Sequence, residues 1–324
     1  MYSHSEIKDR VDKALLNLSC NNEAVKLFEP VRYILSVGGK RLRPVMAIMA
    51  CNLFSDKIDA AVLPAAGIEI FHNFTLVHDD IMDNAPVRRS LPTVHSKWDI
   101  SQAILSGDVM AFIANDCFLQ SPQASLLKVF RVFNNAAIEV CTGQQLDMDY
   151  EKAPVVSHDE YLRMIELKTA ALIAASLKIG AIIGGSDDRD SYLLYDFGRN
   201  LGLAFQIQDD ILDIWGDSAL FGKTRGADIV ANKKTFPLIK AFELAEGATL
   251  KQLREELAAK DFDPDKKVKT VTGIYDRLKV REKTEILANG YIDQAFSLLG
   301  KVNVDEERKR ELKNLAASLI GRET

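Results

Sequence analysis

The sequence lacks the features of a disulfide-stapled or zinc-binding protein. Its four cysteines, Cys20, Cys51, Cys117 and Cys141, form no C-x-x-C pair and have no histidine at metal-ligand spacing. Reduced thiols in the cytoplasm are the simple expectation. There is no excess of positive charge either: 46 Asp+Glu against 41 Lys+Arg argues against nucleic acid as the main partner. No Ser- or Gly-rich linker or low-complexity tract divides the 324 residues, so a single domain over 1–324 is expected. Long apolar runs are missing too. The stretch from Thr169 to Leu177 meets Lys178, and no membrane span is expected. The first ten residues are too charged for a signal peptide, and Ser3 with Glu6 fits a helix capping box.

What the sequence has in abundance is helical periodicity. Apolar residues recur at three- and four-residue spacing, as in Val11, Leu15, Leu18 and in Leu193, Leu194, Phe197, Leu201, with no sustained β-type alternation. The reading is all-α. Glycine and proline at Val37-Gly38-Gly39, Ala85-Pro86 to Leu91-Pro92, Ser121-Pro122, Gly184-Gly185 and Gly216 to Gly226 cut the chain into about a dozen helices.

One segment occurs twice. Val77-His78-Asp79-Asp80-Ile81-Met82-Asp83 is echoed 130 residues later by Ile207-Gln208-Asp209-Asp210-Ile211-Leu212-Asp213, each at the end of an apolar helix. On a helix the first and last Asp of each copy lie about 40° apart on one face. Like charges about 4 Å apart repel by roughly 4 kcal/mol at an effective dielectric of 20, so such a cluster needs cations. Mg²⁺ suits it, since it takes one or two carboxylates and completes its shell with water and phosphate. A single run of this kind is ordinarily a solvated acidic face. Two copies, each trailed by basic residues, argue against that.

The basic residues fall in four stretches: Gly38-Gly39-Lys40-Arg41-Leu42-Arg43-Pro44, Pro86-Val87-Arg88-Arg89, Glu166-Leu167-Lys168-Thr169, and Phe221-Gly222-Lys223 through Asn232-Lys233-Lys234-Thr235. Arg offers a planar fork and Lys a mobile point charge, a set matched to diphosphate. For Arg41 and Lys234 a plain surface charge is the favoured reading.

From about Val31 to Pro237 these motifs, in this order, resemble the trans-isoprenyl diphosphate synthase family. The resemblance implies a single-domain helical bundle around a central cavity, a homodimer, and two acidic motifs facing each other at the cavity mouth. It implies that Asp79, Asp80, Asp83, Asp209, Asp210 and Asp213 hold three Mg²⁺ ions on an allylic diphosphate. Arg88, Lys168, Lys223 and Lys233 resemble the residues that grip that diphosphate, and Lys40, Arg43, His72 and Arg89 those that seat isopentenyl diphosphate. Thr169 and Gln206 look like the polar groups beside the reacting carbon, and Gln144 and Asp147 like supporting residues. The sequence departs from the family at Asn232, where glycine is usual.

The implied reaction is ionisation of an allylic carbon–oxygen bond, capture of the cation by isopentenyl diphosphate, and proton transfer to the released diphosphate. Phe71, Phe74, Leu76, Ile104 and Phe205 are candidates for the apolar wall that keeps water out. The family's length ruler is the helix entering the first motif, where Phe74 stands five residues before Asp79 and is followed by the small Thr75. This resembles the archaeal geranylgeranyl synthases, which points to a C20 product, with C15 as the alternative. A class I terpene cyclase fits less well because the second motif is a full aspartate copy and a Gly39-Lys40-Arg41 segment is present. A non-catalytic subunit would carry degenerate motifs, and these are intact.

Overall fold

The computed structural model describes residues 1–18, 24–216 and 225–321, and most of them are helical, as the periodicity predicts. They group into two compact units. The first comprises Met1–Asn135, Ala175–Tyr195 and Val302–Leu312; the second comprises Ala136–Ala174, Asp196–Lys301 and the residues after Leu312. In chain order the elements are α1 (His4–Leu16), α2 (Val25–Ser36), α3 (Leu42–Phe54), α4 (Asp59–Met82), strands β1 (Val87–Arg88) and β2 (Leu91–Pro92), α5 (Val94–Lys97), α6 (Ile100–Leu119) and α7 (Leu126–Lys152). Next come α8 (His158–Ile165), a π-helical turn at Glu166–Ala170, α9 (Ala171–Gly184) and α10 (Asp188–Trp215). The chain then continues through α11 (Ala227–Val230), α12 (Phe236–Leu244), α13 (Gly247–Ala258), α14 (Pro264–Arg277), α15 (Val280–Gly300) and α16 (Glu306–Ile320). Unit boundaries fall inside α7, α9, α10 and α16.

Local sequence sets the helix starts. Ser3 and Glu6 form the expected capping box on α1, and Ser157 with Glu160 repeats it on α8. Asp99 and Asp263 cap α6 and α14, and Pro264 occupies the first position of α14, where its missing N–H costs nothing.

In the first unit α3 is buried on all sides from Pro44 to Leu53, which marks it as the central helix. Gly180 and Gly184, one turn apart on α9, lie directly against the backbones of Ala47 and Cys51 on α3, with no room for a side chain. In the second unit Tyr161, Ile165, Ala170, Leu203, Ile207, Phe236 and Ile239 form one apolar core. Ile214, Ile229, Leu253, Val271, Ile274 and Tyr275 form another beneath the end of α10.

Two expectations change. The loop after the first acidic motif contains an antiparallel hairpin, with Val87 opposite Pro92 and Arg88 opposite Leu91, too short to show alternation in sequence. Two stretches, Asp59–Met82 and the continuous His158–Gly184, are long and apolar enough to cross a membrane by length and composition. Lys178 does not interrupt the second, because its ammonium lies 3.3 Å from the centre of the Tyr192 ring. Both stretches bury most of their apolar window inside the protein, 61% and 67%.

Candidate active site

The first acidic motif forms the C-terminal end of α4, with Asp83 as its cap. Asn84 follows in the left-handed conformation at φ 49°. Its N–H bonds to Ile81 O, and that of Ala85 reaches back to Asp80 O. This is a Schellman ending, which turns the chain sharply into the hairpin. Asp80 is buried, and Arg88 on β1 donates from Nε to its Oδ1 at 2.8 Å, with Arg88 Nη2 lying 3.9 Å from Asp79 Oδ2. Burial raises the Asp80 pKa, and the Arg88 charge offsets part of that rise. Its second oxygen, Oδ2, is buried without a protein hydrogen-bond partner.

On the same unit lies a set rich in cations. Arg43 Nη1 sits 3.1 Å from Nε2 of His72, and Arg43 Nε is buried without a partner. Burial, the neighbouring Glu69 charge acting against it, and repulsion from Arg89 bring the Arg43 pKa down to about 10. His72 is held well below its ordinary value by burial, then by Arg43 and Arg89, so it is neutral at pH 7. Arg89 and Ser90, at φ 51° and 65°, form the two-residue turn of the hairpin, and Arg89 Nη1 donates to Gly38 O. Gly38 and Gly39 take φ of 77° and 150°, and a side chain at Gly39 would strike the Arg89 guanidinium. Lys40 is exposed on this loop.

The next residue corrects the sequence reading. Arg41, expected on the surface, is buried and left-handed (φ 50°). It donates to Glu69 Oε1 at 2.8 Å, to Asp12 Oδ1 at 3.0 Å and to Leu35 O at 2.6 Å. Asn73 adds a hydrogen bond to the same Glu69 oxygen. Arg41 thus fixes the loop carrying Lys40 between α1, α2 and α4.

The second motif ends α10. Asp210 is buried, and both its oxygens accept hydrogen bonds: Oδ2 from the Tyr161 hydroxyl at 2.5 Å, Oδ1 from Gln206 at 3.2 Å. Burial, then the nearby Asp228 charge, pushes its pKa up to about 8, against the lowering effect of those two donors. Asp213 Oδ2 accepts from the Asp228 N–H at 3.2 Å. Thr169 donates to Gln206 Oε1 at 3.1 Å, so Thr169, Gln206, Asp210 and Tyr161 form one chain. Lys168, in the π-helical turn, pairs with Asp147 at 2.5 Å. Gly143 leaves room for that turn, because a methyl there would collide with the backbone of Lys168. Wide turns of this kind recur at functional sites. Lys233 is half-buried, and Lys223 lies outside the described residues.

The donor set fits a hard divalent cation. Carboxylate oxygens crowd helix C-termini, and Asp80 Oδ2 has no protein partner. Among the described residues no three His, Cys, Asp or Glu side chains close into a ready-made cage.

Of the length-ruler residues, Phe71 is buried and Phe74 half-buried, their rings 5.4 Å apart, with Phe74 edge-on to His78 at 4.9 Å. Phe133 meets Phe71 at 5.2 Å and stacks on Phe118 at 3.9 Å. Thr75 turns its hydroxyl back to His72 O. Ile104, a candidate wall residue, stands exposed on α6 instead.

Sequence reasoning missed Glu69, Tyr161 and Asp228. Glu69 sits three residues before His72, a spacing that shares a helix face and could have exposed it. Tyr161 reaches Asp210 across 49 residues and left no local signal.

Fold and site together point to a class: an all-helical protein whose clustered carboxylates suit a divalent cation and whose Lys and Arg suit a diphosphate. The sequence matches the Polyprenyl synthetase family over residues 24–275, and the chain belongs to that family. It is similar to the geranylgeranyl diphosphate synthase of Methanosarcina mazei, at 40% identity over 74% of this chain and 75% of that one. To the Sulfolobus acidocaldarius protein of the same name it is 41% identical, over 74% and 76%. A crystal structure of a geranylgeranyl pyrophosphate synthase superposes with a TM-score of 0.95 at 37% identity, covering all of both chains.

Removing one partner of a buried ion pair strands the other charge. Glu69→Ala is expected to destabilise the protein by about 3 kcal/mol, with Asp12 still holding part of Arg41. Thermal unfolding is expected to show a midpoint roughly 4–5 °C lower. The double variant Glu69→Leu/Arg41→Met recovers most of this; a Glu69→Ala protein that melts with the wild type would rule the pair out as a structural element.

Proposed function

We propose that the chain condenses isopentenyl diphosphate with an allylic diphosphate head-to-tail and that geranylgeranyl diphosphate (C20) is its main product. One observation supports this reading. In the first unit α3, α4 and the hairpin carry two chemically distinct sets that suit diphosphates: the carboxylates of α4 with Arg88, and the cationic edge formed by Arg43, His72 and Arg89, in which Arg43 Nε is buried without a partner. Ionisation of a single substrate needs only the first. Beside the second, the Glu69 carboxylate is already engaged by Arg41 and Asn73, and the set suits a diphosphate bound directly by Lys40, Arg43, His72 and Arg89.

Asp79, Asp80 and Asp83, with Asp209, Asp210 and Asp213, would hold Mg²⁺, which we put at three ions, and the bound cations would supply positive charge to the departing diphosphate. Arg88, Lys168 and Lys233 are assigned to the same departing group, where fixed charges help most because they need no reorganisation. Neutral His72 keeps its lone donor for the incoming phosphate and carries no charge that would repel Arg43. As the allylic C–O bond breaks, the terminal alkene carbon of isopentenyl diphosphate forms the new C–C bond, and the proton lost from the condensed cation passes to the released diphosphate. Holding two reactants in line removes on the order of 7–11 kcal/mol of barrier in favourable cases.

Purified protein given isopentenyl diphosphate with dimethylallyl, geranyl or farnesyl diphosphate is expected to produce C20 chains with Mg²⁺ and none after chelation. A cyclised hydrocarbon from one substrate, or no incorporation of isopentenyl units, overturns the reading. For the length, the Phe71–Phe74–Phe133 aromatic cluster is the proposed floor. Phe74→Ala is expected to shift the main product beyond C20, and an unchanged chromatographic profile removes Phe74 from that role.

We further propose a cytoplasmic homodimer. The described cysteines Cys51, Cys117 and Cys141 as free thiols support the compartment. An apolar stripe on α6 supports the dimer: Leu105, Phe112 and Leu119, seven residues apart, are 57%, 70% and 54% exposed. Phe112→Glu is expected to convert a dimer to monomers in light scattering; a wild-type monomer would sink the assembly.

A further inference from the structure

The departure at Asn232 is resolved by the turn in which it sits. Asn232 has φ 56°, the left-handed region, which explains why glycine is the usual occupant. Its N–H bonds to Ile229 O and the N–H of the next residue, Lys233, reaches back to Asp228 O at 2.9 Å. Those are the two bonds of a Schellman ending on α11, with Asn232 at the left-handed position, where asparagine is the second choice after glycine. The same geometry, also with asparagine, ends α4 at Asn84.

Asn232 does more than tolerate the turn. Its amide Nδ2 donates to Leu257 O on α13 at 3.1 Å, and its Oδ1 accepts from Nζ of Lys267 on α14 at 2.7 Å. Lys267 is only 1% exposed, an unusual place for an ammonium, and among the described residues no carboxylate forms an ion pair with it, although the Glu256 charge favours its charged form. Besides Asn232, Nζ reaches Val230 O at 3.4 Å and lies 4.2 Å from the centre of the Phe262 ring. A buried lysine whose donors go to one turn is a clamp on that turn.

The turn is in register with the second motif. Gly226 N–H bonds to Asp213 O, Asp228 N–H bonds to Asp213 Oδ2, and Asp228 O accepts from Lys233 N–H. A continuous hydrogen-bonded path therefore runs from Asp213 to the backbone of Lys233, and the Asn232 side chain fastens its far end to α13 and α14. Glycine in its place would keep the left-handed backbone and lose both side-chain bonds.

We propose that Asn232 and Lys267 are a positioning pair that holds the turn before Lys233, so that Lys233 meets the allylic diphosphate in fixed register with Asp213. Neither touches substrate. This rests on the proposed function, which assigns Lys233 to that diphosphate.

The test compares Asn232→Gly, Lys267→Met and their double variant with wild type, in wild-type and Lys233→Ala backgrounds. Binding of farnesyl diphosphate in Mg²⁺, and separately of isopentenyl diphosphate, is read by calorimetry, with turnover and melting measured beside them. Each single variant is expected to weaken farnesyl diphosphate about 3- to 10-fold, the double no further than the worse single, with isopentenyl diphosphate binding unchanged. With Lys233→Ala in place, Asn232→Gly is expected to have no additional effect, which a purely structural role does not explain. Unchanged farnesyl diphosphate affinity in Asn232→Gly, or equal weakening of both substrates, overturns the pair. Wild-type protein that binds farnesyl diphosphate but never extends it overturns the proposed function instead, while the binding comparison still decides the pair.

Discussion

Carboxylates at a helix C-terminus work against the helix dipole as well as against one another, and both acidic motifs of this chain are built that way. Each helix end concentrates negative charge where the backbone already carries about half a unit of it. Much of the surrounding structure answers that constraint. The hairpin after α4 returns Arg88 to Asp80, and α8 brings the Tyr161 hydroxyl to Asp210. In each motif the middle aspartate is the buried, anchored one. Its neighbours stand more open, at the positions that share a helix face.

The cationic side shows the complementary economy of placement. Arg43 and His72 lie in contact and partly desolvated, an arrangement that an incoming diphosphate relieves. Its scaffold is the buried Arg41 with Glu69 and Asp12, which is held by full pairing because an unpaired guanidinium there would be strongly unfavourable. Of the six non-glycine residues with positive φ among the described residues, Asn84, Arg89, Ser90 and Asn232 lie in the segments that follow the two motifs, and Arg41 lies in the loop that carries Lys40. Only Lys279 lies elsewhere. Backbone strain of about 1–3 kcal/mol per residue is therefore concentrated where the loops must present charge at fixed positions.

Sequence and structure agree best where the signal is local. The all-helical fold followed from apolar spacing, the Ser3–Glu6 start of α1 from its capping pattern, and the paired motifs from their repetition. The reading went astray where one residue type has two physical outcomes. Arg41 sits among lysines and arginines in a glycine loop, a pattern shared by surface charges, and only Glu69, 28 residues away on α4, draws it inside. Lys178 looked like an end to an apolar run, yet a lysine stem lies along apolar surface and leaves the helix intact. Asn232 read as a departure from glycine until its left-handed φ showed the same backbone demand met by a different side chain.

By itself the sequence determined the helices, the order of the charged segments and the chemistry they could address, because helical period and residue type act over a few neighbouring positions. Tertiary structure alone decided which carboxylates are anchored, which arginine is buried and which lysine clamps a turn. Those outcomes depend on partners between 8 and 49 residues away, and on desolvation that no local pattern records.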